Sequence, residues 1–465
     1  MQFLRCYLHQ FYFQDLKFLN KIINFFFINY VFYFKMATPT KKVAFHTLGC
    51  KLNFSETSTI SREFQKNGFE KVKFNELADF YVLNTCSVTE NADKEAKKLI
   101  RKAKKNNPLS KVAVIGCFAQ LQPEDIAKID GVDIVLGANE KFNLLKYLDG
   151  ISFGAPKIIR YSDINNVKEF KPSFSLHERT RSYLKVQDGC DYTCSFCTIP
   201  LARGQSRSGT IPSIIKAAEK IANSDKKEIV LTGVNIGDFR SDSNDSFIDL
   251  ITELNKVKGI DRIRISSIEP NLLTNEIIEF CNSSAKFMPH FHIPLQSGSN
   301  KILRAMRRRY NKEFYKDRIK KIKETNPDTC IGVDVIVGFP GESDDDFFET
   351  YKFLIELDIS YLHVFSYSER AETDATKLNG KVHQIVKSKR SKMLHILSEK
   401  KTRVFHNQFI NKKRPILFEG SKNGKLIGFT DNYIKTVVKS SSQYKNKIIN
   451  INLIKNEGNH MVGLV

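Results

Sequence analysis

The sequence predicts an α/β chain in three parts: an N-terminal doubly wound parallel-sheet domain, a central partial (β/α)6 barrel and a small C-terminal all-β barrel. Three observations carry this expectation. From Lys42 a strand–helix unit repeats three times, and each strand ends at a cysteine. From Arg181 to about Glu372 six short apolar runs alternate with helical stretches. After Asn411 the pattern turns to five short β-like runs separated by Gly, Ser and Asn. The expected domains are 41–155, 176–402 and 403–465, with residues 1–40 forming a non-domain extension.

Residues 1–35 carry thirteen Phe and Tyr, and their longest uncharged run, Ile22 to Phe34, has 13 residues. A spanning helix needs about 20, and no small-residue cleavage site follows. Met36 therefore reads as the true start; a membrane-surface anchor is the alternative, and no stable membrane association is expected. The 73 Lys and Arg against 51 Asp and Glu give a net charge of +22. Such an excess suggests a polyanion partner; a solubility role, or drift towards Lys and Asn, is the bland reading. Nine cysteines are spread along the chain with no small-domain disulfide pattern, which points to a reducing, cytoplasmic location.

In the first part, Val43–Thr47 is a strand leading to Gly49-Cys50, followed by a helix from Ser55, as N-cap, to Asn67, stopped by Gly68. Phe80–Thr85 is a strand leading to Cys86, followed by a helix over Asn91–Lys105. Val112–Ile115 leads to Gly116-Cys117, followed by a helix over Gln122–Ile129, and Ile134–Gly137 is a fourth strand. Right-handed crossovers put all strand C-termini on one edge, where sites of such sheets lie. Cys50, Cys86 and Cys117 should therefore converge, and three thiolates suit a 4Fe–4S cube with one free corner. Three separate packing cysteines are the alternative.

The central part opens on Asp188-Gly-Cys-Asp-Tyr-Thr-Cys-Ser-Phe-Cys197, where Cys190, Cys194 and Cys197 are spaced Cys-x3-Cys-x2-Cys with no local fourth ligand. Zinc would want four ligands; a cube held by three keeps one iron open for a small molecule. Expected strands are Ser182–Gln187, Glu228–Thr232, Arg262–Ser266, Phe291–Pro294, Gly332–Val337 and Tyr361–Ser366. A barrel of this kind places its site at the C-terminal strand ends. There Gly233 allows a close backbone approach to a flat adenine or ribose, Glu269 offers a carboxylate to a hydroxyl or amine, and Gln296 lies in a polar-rich segment. Arg304, Arg307, Arg308 and Arg309 are either phosphate contacts or a solvated face. Cys281 and Cys330 read as packing residues. A basic helix from about Lys387 to Thr402 links to the last part, whose five strands suggest a small barrel of oligonucleotide-binding type.

The Cys190–Cys197 loop closely resembles the signature of the radical S-adenosylmethionine (SAM) enzymes. Thr47-Leu-Gly-Cys-Lys-Leu-Asn53, Asn84-Thr-Cys-Ser-Val-Thr89 and Ile115-Gly-Cys-Phe-Ala-Gln120 look like the three cysteine segments of the methylthiotransferase branch. His292–Gly298, Asp334–Glu342 and Phe365–Arg370 resemble the last three strand signatures of its core, although this chain reads Ala371-Glu-Thr-Asp where the family usually has Gly-Thr. The resemblance implies a radical SAM barrel and a reducing 4Fe–4S cluster on Cys190, Cys194 and Cys197. The fourth iron of that cluster would bind S-adenosylmethionine and yield a 5′-deoxyadenosyl radical. It further implies a second 4Fe–4S cluster on Cys50, Cys86 and Cys117 that holds or delivers sulfur, and a terminal TRAM-like RNA-binding domain. Gly-Cys-Lys-x-Asn resembles the branch acting on N6-threonylcarbamoyladenosine in tRNA, whereas the isopentenyladenosine branch usually carries Gln and Met after that cysteine. The implied partners are the tRNA anticodon loop, S-adenosylmethionine and an electron donor such as flavodoxin or ferredoxin. The rivals are the isopentenyladenosine reaction, methylthiolation of a ribosomal-protein aspartate, and a non-catalytic RNA-binding iron–sulfur protein.

Overall fold

A computed structural model of the chain describes residues 40–86, 90–148, 156–176, 180–439 and 442–464; the expectations for residues 1–35 lie outside these. Six strands come first: β1 (Lys42–Thr47), β2 (Glu70–Val72), β3 (Phe80–Thr85), β4 (Lys111–Gly116), β5 (Ile134–Leu136) and β6 (Ile158–Arg160). They pair in parallel in the order β2-β1-β3-β4-β5-β6. Side chains alternate across this sheet. Ala44, Tyr81, Leu83, Val112 and Val114 pack on one face with Leu99 and Ile100 of the helix Glu90–Asn106. Val43, Val82, Ala113 and Ile115 pack on the other with Ile60 and Phe64 of the helix Lys51–Lys66. Both faces are covered, as a doubly wound sheet requires.

Two local expectations are corrected. The first helix begins at Lys51, with Cys50 as its N-cap, and Ser55 lies inside it. Gly49, at φ +96°, turns the chain as it leaves β1, and the Ser55 hydroxyl donates back to the Leu52 carbonyl (2.8 Å) instead of capping. The helix expected over Gln122–Ile129 is two short pieces, Cys117–Leu121 and Pro123–Ala127, broken where proline removes a donor. Cys117 thus opens a helix itself.

A two-residue strand, β7 (Ser173–Phe174), pairs antiparallel with β8 (Arg181–Lys185). After β8, β9 (Gln187–Asp188) and β10 (Arg207–Ser208) make a small antiparallel pair around the second cysteine loop. The barrel continues with β11 (Glu228–Thr232), β12 (Arg262–Ile265), β13 (His290–His292), β14 (Cys330–Val337) and β15 (Tyr361–Ser366). Its six parallel strands run β8-β11-β12, then β13-β14-β15, joined across the gap by the bridges Ile263–Phe287 and Ser267–His292. Cys281 and Cys330 are buried among apolar side chains.

The helix Gln384–Asn407, longer at both ends than expected, packs on β15 and leads to a closed five-stranded barrel. That barrel comprises β16 (Lys413–Lys422), β17 (Lys425–Thr430), β18 (Lys435–Lys439), β19 (Ile448–Asn456) and β20 (Met461–Leu464). It docks on the end of the central barrel where the strands begin. Arg262 donates to the carbonyls of Pro415 (2.8 Å) and Phe429 (3.2 Å), and Arg414 pairs with Asp328 (2.6 Å). The opposite end, where strands finish, is left to the cysteine loop. Among the described residues no helix is long and apolar enough to cross a membrane.

Candidate functional site

The three strand-end cysteines of the first domain sit on neighbouring strands, because β1, β3 and β4 are consecutive in the sheet. Side chains lace the strand ends together. The Asn53 amide donates to the carbonyls of Leu48 and Thr85 (both 3.1 Å), and the Thr85 hydroxyl donates to the Ile115 carbonyl (2.6 Å). Two glycines are required by space. A Cβ on Gly49 would lie 2.6 Å from Cys86 Cβ, and one on Gly116, at φ +98°, 2.6 Å from the Thr85 carbonyl oxygen. Cys86 thereby packs against the residue before Cys50. Cys50 caps one helix and Cys117 opens another; burial pushes the Cys117 thiol up, with Arg203 and Lys141 acting against it.

Behind this triplet lies a charge network that sequence reading did not anticipate. Glu56, fully buried, accepts from Lys141 (2.6 Å), Lys185 (3.0 Å) and Arg203 (3.2 Å). Arg203 also pairs with Asp188 (2.8 Å) and donates to Asn53, and Lys185 and Arg207 reach Asp188 as well (2.6 and 3.3 Å). Burial alone would push the Glu56 carboxyl up; Arg203, Lys141 and Lys185 outweigh it and hold the group well below the usual carboxylate range. Four cations face two carboxylates. Arg203 acts electrostatically on both Cys50 and Cys117, so the excess positive charge suits an anionic group on the thiol triplet. Uncompensated, it would carry a heavy desolvation cost. The only local signal was the placing of Lys185 in an apolar strand, with its partner Glu56 129 residues upstream.

The same network joins the second cysteine loop, since Asp188 precedes Cys190 and Arg203 follows Cys197. Gly189, at φ +69°, leaves 1.9 Å between a would-be Cβ and the Gln205 carbonyl oxygen, so the loop can close only on glycine. The Cys190 amide donates to Gly204 (3.0 Å), the Cys197 amide to Cys194 (3.1 Å) and the Tyr192 amide to the Cys190 sulfur (3.4 Å). Burial pushes the Cys190 thiol up to about 11 and Cys197 to about 12, and the neighbouring thiols add to it. Three half-buried thiols on one short loop suit metal ligation, which releases their protons.

Arg307, Arg308 and Arg309 of the arginine run make contacts at this loop, whereas Arg304 is exposed. The Arg308 side chain, 4% exposed, donates to the Cys194 sulfur (3.1 Å) and pairs with Glu269. Arg307 pairs with Asp374 (2.8 Å), and Arg309 lies over the Tyr192 ring (3.8 Å). Glu269 is thus tied to the cysteine loop through Arg308. Gln296, a non-glycine residue at φ +69°, is pinned by bonds with Asp334 and Ile336 (2.9 Å each). It lines a cavity of about 260 Å³ with Phe196, Cys197, Asp334, Ile336 and Phe365. At Gly233 a Cβ would meet Ile236 Cγ2 at 2.7 Å and the Gln187 side chain at 2.9 Å, and Gln187 accepts from the amides of Val234 and Asn235 (2.9 Å each). Next to it Asn235 is buried, and neither of its amide atoms has a partner among the described residues. Such orphaned groups call for a ligand.

The fold and site define a class: an α/β enzyme with two thiol triplets on strand-end loops, bridged by buried charge. Residues 42–137 match the family described as Uncharacterized protein family UPF0004, and residues 184–354 match the Radical SAM superfamily. The chain is 41% identical to the threonylcarbamoyladenosine tRNA methylthiotransferase MtaB of Bacillus subtilis over 89% of this chain and 94% of the relative. It is 35% identical to the MtaB protein of Thermotoga maritima (85% and 91%) and 32% identical to the tRNA-2-methylthio-N(6)-dimethylallyladenosine synthase of Syntrophus aciditrophicus (82% and 85%). The radical S-adenosylmethionine methyltransferase TsrM of Kitasatospora setae shares the fold, with a TM-score of 0.50 at 13% identity over 70% of this chain and 73% of that one. The chain belongs to the radical SAM methylthiotransferases, in the MtaB family.

Proposed function

We propose that this chain transfers a methylthio group to C2 of N6-threonylcarbamoyladenosine at position 37 of tRNA. The observation that carries it is the pair of cysteine triplets joined by the Glu56–Arg203–Asp188 network, in a chain 41% identical to an MtaB protein over nearly its whole length. Cys190, Cys194 and Cys197 would hold a 4Fe–4S cluster that, when bound, supplies the electron for cleaving S-adenosylmethionine, and Cys50, Cys86 and Cys117 one that supplies the sulfur. The chain's own residues orient these groups. Arg308 fixes the Cys194 sulfur, Glu269 fixes Arg308, and Gln296 and Asn235 present polar atoms to S-adenosylmethionine. The base to be modified lies in the anticodon loop, where single-stranded bases can splay into a pocket. The closed C-terminal barrel acts as a TRAM-type RNA handle, a cytoplasmic flavodoxin or ferredoxin donates electrons, and the excess of Lys and Arg steers tRNA.

Nucleosides from a deletion strain test this by mass spectrometry. Expected is loss of the species about 46 Da heavier than threonylcarbamoyladenosine (one sulfur plus one CH2), restored by the wild-type gene. Persistence of that species sinks the reading; loss of methylthio-isopentenyladenosine instead moves the chain to the rival branch.

A further inference from the structure

Beside Lys51 the barrel interior holds another cavity, of about 140 Å³. Lys51, Tyr183, Arg264, His292, His363 and Tyr433 contribute to its lining. It adjoins both ends of the proposed chemistry. Lys51 follows Cys50, and Asp334 lines the cofactor cavity while accepting from His292 (2.7 Å) and meeting His363 (3.1 Å).

The charges here are unequal. Arg264 is held by Glu228 (3.1 Å), Arg181 by Glu419 (2.6 Å), and Asp334 is occupied by the two histidines. Lys51 alone among these cations has no ion-pair partner among the described residues, and it is exposed at the edge of the cavity. His292, Asp334 and His363 could in principle hold a divalent ion. The nearby positive charges of Lys51, Arg181 and Arg264 oppose a cation and favour an anion.

We propose that Lys51 is a specificity-determining residue: its ammonium receives the free carboxylate of the threonylcarbamoyl substituent in this cavity. The inference rests on the function proposed above and names what distinguishes that substrate. A substituent without a carboxylate would forgo the charge-assisted contact with Lys51, so the cavity favours the acid over uncharged analogues.

Reconstituted full-length enzyme is assayed on an anticodon stem-loop carrying threonylcarbamoyladenosine, and on one whose carboxylate is converted to the methylamide. Wild type should favour the acid by about tenfold or more in kcat/KM. In Lys51→Met the ratio should fall close to one, and Lys51→Arg should restore it. Because the ratio is taken within one variant, general damage to the neighbouring Cys50 site does not mimic the effect. A wild type indifferent to the methylamide, or a Lys51→Met enzyme that keeps the preference, overturns the inference. Should Lys51→Met be inactive on both, the wild type decides: N-carbamoyl-L-threonine should inhibit and its carboxamide should not, and equal effects overturn it. A wild type that leaves the acid stem-loop unmodified and modifies an isopentenyladenosine one refutes the underlying function instead.

Discussion

At the scale of residues, Gly49 and Glu56 carry the most weight. Any side chain at Gly49 collides with Cys86 and strains a positive φ. Gly49→Ala should therefore lose about four of roughly eight irons per chain after anaerobic reconstitution, while the Cys190 loop keeps its own; full iron content would contradict the packing argument. Glu56→Gln leaves Lys141, Lys185 and Arg203 short of a buried counter-charge. Breaking such a site costs roughly 3 kcal/mol, to be read as a lowered denaturation midpoint of the metal-free chain. The six cysteines were legible in the sequence because strand-end position and local spacing announce them. Glu56, Lys141 and Arg203 were not, because Glu56 and Lys141 stand 85 residues apart and Arg203 reaches them only once two domains meet. At Gly233 the strand-end glycine was legible, but the close approach of the Ile236 and Gln187 side chains was not.

Among the elements, the helix Gln384–Asn407 joins the two barrels, and its penultimate residue titrates with folding. Burial lowers His406 to about 4. The unfolded chain takes up a proton near 6.5 and the folded one only near 4, so stability should fall as pH drops through that window. The loss approaches roughly 3 kcal/mol at its lower end, and His406→Gln should flatten it; a flat wild-type profile between pH 7 and 4.5 would contradict the assignment. Strand and helix order was readable from alternating apolar runs, and the two-layer sheet followed from it. Helix starts were misplaced where a short-range signal misled: Ser55 looks like a cap until Gly49 is seen to turn the chain six residues earlier. The short strands β2, β6 and β7 carry too few residues for a periodic signal.

For the whole molecule, the net charge of +22 predicts that stem-loop affinity weakens steeply with salt, by about tenfold or more between 50 and 200 mM if several phosphates are contacted. A gel-shift series at graded salt measures it, and an unchanged affinity would remove the electrostatic role. The three-part order was visible in the sequence; how the last part attaches was not, because arginines that meet carbonyls of another domain leave no pattern. That attachment has a practical outcome. Arg262 and Arg264 donate to carbonyls of the C-terminal barrel, and Tyr433 of that barrel stands over Arg264 (4.7 Å) inside the cavity. Trimming the chain after the linker helix would do more than amputate an RNA grip. It would uncork the floor of the reaction chamber, admit water to it and strip two buried guanidinium groups of their acceptors, so a shortened enzyme is a poor stand-in for a minimal catalyst.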